Sequence, residues 1–211
     1  MSGATAADYA WLGDYDGYSG DSGFCVTFVH DLSPEEAFRR IGVTPAERAG
    51  DPFGPSLDRP IAACAAIGGT VLVETGGYAG TLAEVTRRLS EGTVTAAVHR
   101  GLDPQFVYAA DGQLVTGFEP DAPYLRWGRH PDRLLAHMRE LGMPTGEDEL
   151  HGEQDDDGRN DEHDESAEST DAGADDPVIA AVALAERATG VRVTSDHLAR
   201  PALVGSAAHL Y

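Results

Sequence analysis

Phe106-Val107-Tyr108-Ala109-Ala110-Asp111-Gly112-Gln113-Leu114-Val115-Thr116 holds the strongest short hairpin signal in the chain. Two runs of β-branched and aromatic residues stand on either side of Asp-Gly. That dipeptide accepts the positive φ angles of a two-residue hairpin turn, whose twist matches that of the strands it joins. The local instruction is therefore an antiparallel pair. Working outward, Ile61 to Ile67 and Thr70 to Thr75 flank Gly68-Gly69 and read as a second hairpin with a two-residue turn. Phe24 to Val29 and Thr93 to Val98 are further strand-like runs.

Helices alternate with these strands. Ser33-Pro34-Glu35-Glu36 is a helix start: Ser33 caps, Pro34 loses no hydrogen bond at the first position, and Glu36 can close a capping box. Ala37, Phe38 and Ile41 form its inward face, and Gly42 stops it. Thr81-Leu82-Ala83-Glu84 reads as a second capping box, with a helix to Leu89 and a stop at Gly92. Pro131 to Leu141 is a third helix, Pro177 to Thr189 a fourth, and Ala4 to Leu12 a short N-terminal one. Val191 to Val193 adds a short strand, and Thr194 or Ser195 caps a last helical turn. The expected class is α+β: a mainly antiparallel sheet of about six strands, covered on one face by four or five helices.

Charge divides the chain. Its 211 residues hold 36 Asp and Glu against 15 basic residues, for a net charge of −21, and every basic residue is arginine. Without lysine there is no Schiff-base chemistry and no phosphate-binding loop of the G-K-[ST] type. Counted along the sequence, Glu147 to Asp176 carries 15 acidic residues against Arg159, a local −14 that leaves −7 for everything else. This segment has one Leu and no aromatic residue, too little apolar surface to offset the entropy of ordering, so it reads as a disordered acidic insert. Residues 1–144 then form the main part of a single domain, 145–176 the acidic linker, and 177–211 a helical segment that docks back, being too short to hold its own core. A polyanion gathers counterions rather than releasing them, so neither nucleic acid nor an anionic membrane is an expected partner. Met1 to Gly13 lacks the basic and apolar regions of a signal peptide, and no apolar run approaches membrane-spanning length. Cys25 and Cys64 read as buried thiols of a reducing cytoplasm.

Several strings carry a resemblance. Tyr9-Ala10-Trp11-Leu12, Cys25-Val26-Thr27-Phe28-Val29, Ser33 to Gly42 and Leu89-Ser90-Glu91-Gly92-Thr93 together resemble an actinobacterial family catalogued only as a domain of unknown function. Phe118-Glu119-Pro120, Pro131-Asp132-Arg133-Leu134-Leu135 and Ala183 to Val191 are similar to its later blocks. The resemblance covers nearly the whole chain outside the acidic insert. It implies a cytoplasmic bacterial protein, and it brings no activity and no catalytic residue. At Thr75-Gly76-Gly77 this sequence departs from the Asn-Gly turn of its relatives.

Four patterns are candidates for chemistry. Glu153, Asp155, Asp157 and Asp164, with Gly158, stand at the spacing of a calcium loop. Position one is Glu and position twelve is Asp, no amphipathic helix flanks them, and the other reading is a solvated acidic tract. Thr75-Gly76-Gly77-Tyr78-Ala79-Gly80 lies between a strand and a helix and is similar to a phosphate-binding turn, but is G-G-x-x-G between antiparallel strands. Its plain reading is a turn that needs positive φ. His30 and His99 stand at strand ends, where they could meet as an acid–base pair or simply face solvent. Tyr124, Arg126, Trp127 and Arg129 gather the residue types that dominate protein-binding hot spots; otherwise the Trp lies on the core edge beside solvated arginines. No cofactor is expected. The leading expectation is a non-enzymatic interaction module, regulatory or immunity-like, with an unidentified protein partner. The alternatives are a small enzyme using His30 or His99, and weak calcium binding by the insert.

Overall fold

Seven antiparallel strands form the sheet in a computed structural model that describes residues 3–14, 23–46, 57–147 and 176–211. In chain order they are β1 (Phe24–His30), β2 (Pro60–Ala66), β3 (Gly69–Thr75), β4 (Val94–Arg100), β5 (Gln105–Ala110), β6 (Gln113–Phe118) and β7 (Leu203–Ser206). The spatial order is β6-β5-β4-β1-β3-β2-β7, so β1 sits at the centre with the two hairpins on either side. The helices are α1 (Pro34–Ile41), α2 (Ala83–Leu89), α3 (Leu135–Glu140), α4 (Pro177–Thr189) and α5 (Ser195–Leu198), with short 3₁₀ helices at Ala6–Asp14, Ala79–Thr81, Pro131–Leu134 and Ala208–Leu210.

The Asp111-Gly112 turn closes β5 to β6 with φ of 50° and 74°, as its sequence dictates. In the second hairpin Ala66 pairs with Gly69, so the turn is Ile67-Gly68, one residue earlier than the Gly-Gly reading. Gly69 is needed in the strand itself, because a Cβ there would collide with the Val29 carbonyl. Ser33 caps α1 by accepting from the Glu36 amide, but the Glu36 carboxylate turns to Arg39 and Arg40 instead of closing a box. The Thr81 box does not form either: its hydroxyl donates to the Tyr78 carbonyl, Leu82 takes the cap position, and Glu84 pairs with Arg87 and Arg88. In both helices an arginine one turn on offers charge-assisted bonds that outcompete a backbone amide.

Helices cover both faces of the sheet, which corrects the one-face expectation. On one side α4, α3 and the N-terminal 3₁₀ helix pack over Phe24, Val26, Phe28, Val73, Val98, Phe106 and Phe118. On the other, α1 and α2 pack Ala37, Phe38, Ile41, Val85 and Leu89 over Val29, Ile61, Ala63 and Leu72. The run Phe24 to Val29 is buried throughout, which is what a strand covered on two faces requires. The seventh strand, β7, pairs with β2 and was missed because Leu-Val-Gly-Ser shows no period. Both sheet edges are closed: Trp127 bridges Gly117 beside β6, and Pro45 bridges Gly205 beside β7. Val191 to Val193 contributes a single bridge between Arg192 and Ile67, and Thr194 forms a capping box with His197 at α5.

Candidate functional site

The strand ends of β1, β3 and β4 meet beneath the turn Thr75 to Gly80. Cys25 pairs with Glu74 on one side and with His99 on the other, so these three side chains share the α2 face of the sheet. The turn folds back over that face because Gly80 has no side chain. A Cβ at Gly80 would collide with Thr27 Oγ1 and come within 3.0 Å of Cys25 Sγ.

Glu74 lies only 2% exposed. Its carboxylate accepts from the Ala79 amide at 3.3 Å, the Gly80 amide at 3.1 Å and the Tyr211 hydroxyl at 2.7 Å. Tyr211 in turn accepts from the Tyr78 and Ala79 amides at 2.8 and 3.0 Å. The amides of the glycine-rich turn therefore hold the chain's own carboxylate and phenol. This is why a phosphate-like sequence pattern makes a structural knot rather than an open anion cradle. Burial pushes the Glu74 carboxyl above its usual range, opposed by the bonds from Tyr211 and the two amides. Arg59 lies over the Tyr211 ring at 4.1 Å and reaches the Gly76 carbonyl at 3.5 Å.

Beside this knot is a half-open cleft of about 410 Å³ lined by Gly76, Tyr78, Thr81, His99, Gly101, Leu102, Asp103 and Gln105. The Tyr78 ring stands edge-on to His99 at 5.9 Å and to Tyr211 at 4.9 Å. His99 Nδ1 lies 3.2 Å from the Asp103 carbonyl oxygen. A carbonyl can only accept, so Nδ1 carries the proton and Nε2 of the neutral ring is an acceptor. A Cβ on Gly101 would come within 2.6 Å of His99 Cε1 and 2.8 Å of Nε2, so a glycine is needed where the chain passes this edge of the ring. Burial lowers the His99 pKa, ahead of the opposing effect of the Asp103 carbonyl, which keeps the ring uncharged at neutral pH.

The strand-end histidines do not meet. His99 lies opposite Cys25 near the start of β1, whereas His30 closes β1 at its other end, about 17 Å away at ~3.3 Å per residue. His30 is exposed, and its carbonyl accepts from Thr93. In the Tyr124 to Arg129 loop, Arg126 turns inward: it donates to the Pro123 and Thr145 carbonyls at 2.8 and 3.3 Å and pairs with Asp132 at 3.1 Å. The Trp127 ring covers Gly117, Arg129 bonds Gln113, and Tyr124 is half-buried. Glu153, Asp155, Asp157 and Asp164 lie outside the described residues, as does most of the acidic insert. Among the described residues no group of three or more His, Cys, Asp or Glu could hold a metal ion, and no helix is long and apolar enough to cross a membrane.

Glu74, Tyr78, Gln105 and Tyr211 were not singled out from sequence. Glu74 carried one signal, a lone acid closing the apolar strand Val71-Leu72-Val73. Tyr211 carried none, since its partner is 137 residues away.

Fold and site together define an α+β protein whose antiparallel sheet is sandwiched between helices, with a cleft at its strand ends. The chain belongs to a family of unknown function (DUF6461), whose model matches residues 2–206. No curated protein and no solved structure matches it.

Proposed function

We propose that the protein binds a small molecule in the His99 cleft. The observation that carries this reading is that the partly exposed Tyr78 ring and the neutral His99 imidazole, an acceptor at Nε2, line one cleft together. Pockets for small ligands have this composition: mostly apolar or aromatic walls with a few convergent polar groups. The volume of about 410 Å³ lies in the range such ligands fill. The setting is cytoplasmic on this reading. Cys25 and Cys64 are free thiols whose neighbours place them on opposite faces of the sheet.

A thermal-shift screen of a mixed small-molecule library against the wild type and Gly101→Ala tests the reading. The alanine methyl crowds Nε2 without removing any ligand-binding group. At 100 times its dissociation constant a ligand adds about 2.7 kcal/mol, a shift of several degrees, in the wild type only. No stabilising compound, or equal shifts in both proteins, would count against the cleft.

A second reading, a protein-interaction module, is favoured by a different observation. Leu125 is 62% exposed and Trp127 37%, on a loop that Arg126 pins from beneath. A preorganised apolar loop loses little entropy on binding. Arg126 itself serves that loop rather than a partner, which shifts weight from the loop to the cleft. Under this second reading, Trp127→Ala loses a partner captured from the native host while keeping its fold.

A further inference from the structure

Resting on the reading of the cleft as a small-molecule site, we propose that its ligand is a small organic cation bearing N–H donors, an alkylammonium or alkylguanidinium. Three features of the lining point the same way. Among the described residues that line the cleft, Asp103 is the charged one. Tyr78 is 44% exposed and lines the cleft, and an aromatic ring attracts a cation through its quadrupole. His99 Nε2 is an acceptor, so it takes a hydrogen bond from an N–H and repels the lone pairs of an anion.

The surroundings agree. Arg100, next in sequence to His99, is paired with Asp176. Arg59, which reaches Gly76, lies over the Tyr211 ring and acts on the buried Glu74 carboxyl. Asp176, which pairs with Arg100, takes up the positive charge of the residue next to His99. The glycine-rich turn on the other wall already spends its amides on Glu74 and Tyr211, so it has little to offer an anion.

Isothermal titration at low ionic strength with three probes of similar length tests the class: agmatine as the cation, N-butylurea as an uncharged donor, and glutarate as the anion. The expected result is saturable binding of agmatine, at least tenfold tighter than N-butylurea, with no heat from glutarate. Asp103→Asn weakens agmatine about tenfold, and Gly101→Ala abolishes it; circular dichroism verifies that both variants are folded. Agmatine heat that persists unchanged in Gly101→Ala places binding on the acidic segment and overturns the proposal. Binding of N-butylurea or glutarate as tight as agmatine, lost in Gly101→Ala, overturns the cation class and leaves the cleft standing. No binding by any probe overturns the cation class, and the library screen then decides the cleft separately.

Discussion

Glu74 shows how a single side chain organises the site. Two amides of the turn and one phenol converge on its carboxylate, and no apolar residue could satisfy those donors. Glu74→Gln keeps the shape but turns an N–H group toward donors, and should cost about 1–3 kcal/mol in urea unfolding at neutral pH. The pH dependence has a definite sign. Burial raises the folded-state pKa above the usual 4.5, so the folded state holds its proton more tightly than the unfolded chain. The contribution of Glu74 is then full below 4.5 and declines as pH rises through the raised value. Stability measured against Glu74→Gln should therefore show a wild-type advantage that narrows from pH 4 upward. An advantage that widens with pH would contradict the burial account. The thiols follow the same physics: burial pushes Cys64 up to about 12 and Cys25 well above its usual value, which leaves neither as a nucleophile.

Among the elements, α4 contributes most to the core outside the sheet. Val178, Ile179, Ala181, Val182, Ala183, Leu184 and Ala185 are all buried against β4, β1 and the N-terminal 3₁₀ helix. Leu184→Ala should lower stability by about 2–5 kcal/mol, read from the denaturation midpoint, because a fully buried position leaves a cavity. This helix was legible from Pro177 and Gly190 at its ends, and the Asp111-Gly112 hairpin from its own two residues; both are decided locally. Covering of the second face was written in the unbroken apolar runs Phe24 to Val29 and Ile61 to Ile67, but a hairpin-rich pattern pointed to a one-sided sheet. The competition that opened both predicted capping boxes is equally local, an arginine one turn away, yet its outcome depends on geometry that spacing does not encode. The cleft was legible as His99 and as the glycine-rich turn that supplies Gly76 and Tyr78. Gln105 reaches it through sheet register, and Tyr211 stands behind Tyr78 through a contact spanning most of the chain.

Seen whole, the molecule joins a mildly acidic body to a strongly acidic segment. The described ends of that segment are Glu147, just after α3, and Asp176, the cap of α4. Asp176 accepts from the Val178 amide and pairs with Arg100, so it ties the segment to the strand that carries His99. The rim at Leu125 and Trp127 belongs to the β6 edge, separated from β1 by β5 and β4. The two candidate surfaces are lined by different residues and can be told apart by which of them are perturbed. Amide chemical-shift mapping of the labelled protein against a small-molecule extract of its native host is the most direct measurement. The cleft account predicts perturbations gathered at Gly76, Tyr78, Thr81 and His99 to Gln105. Shifts confined to Leu125 to Arg129, or none at all, would contradict it.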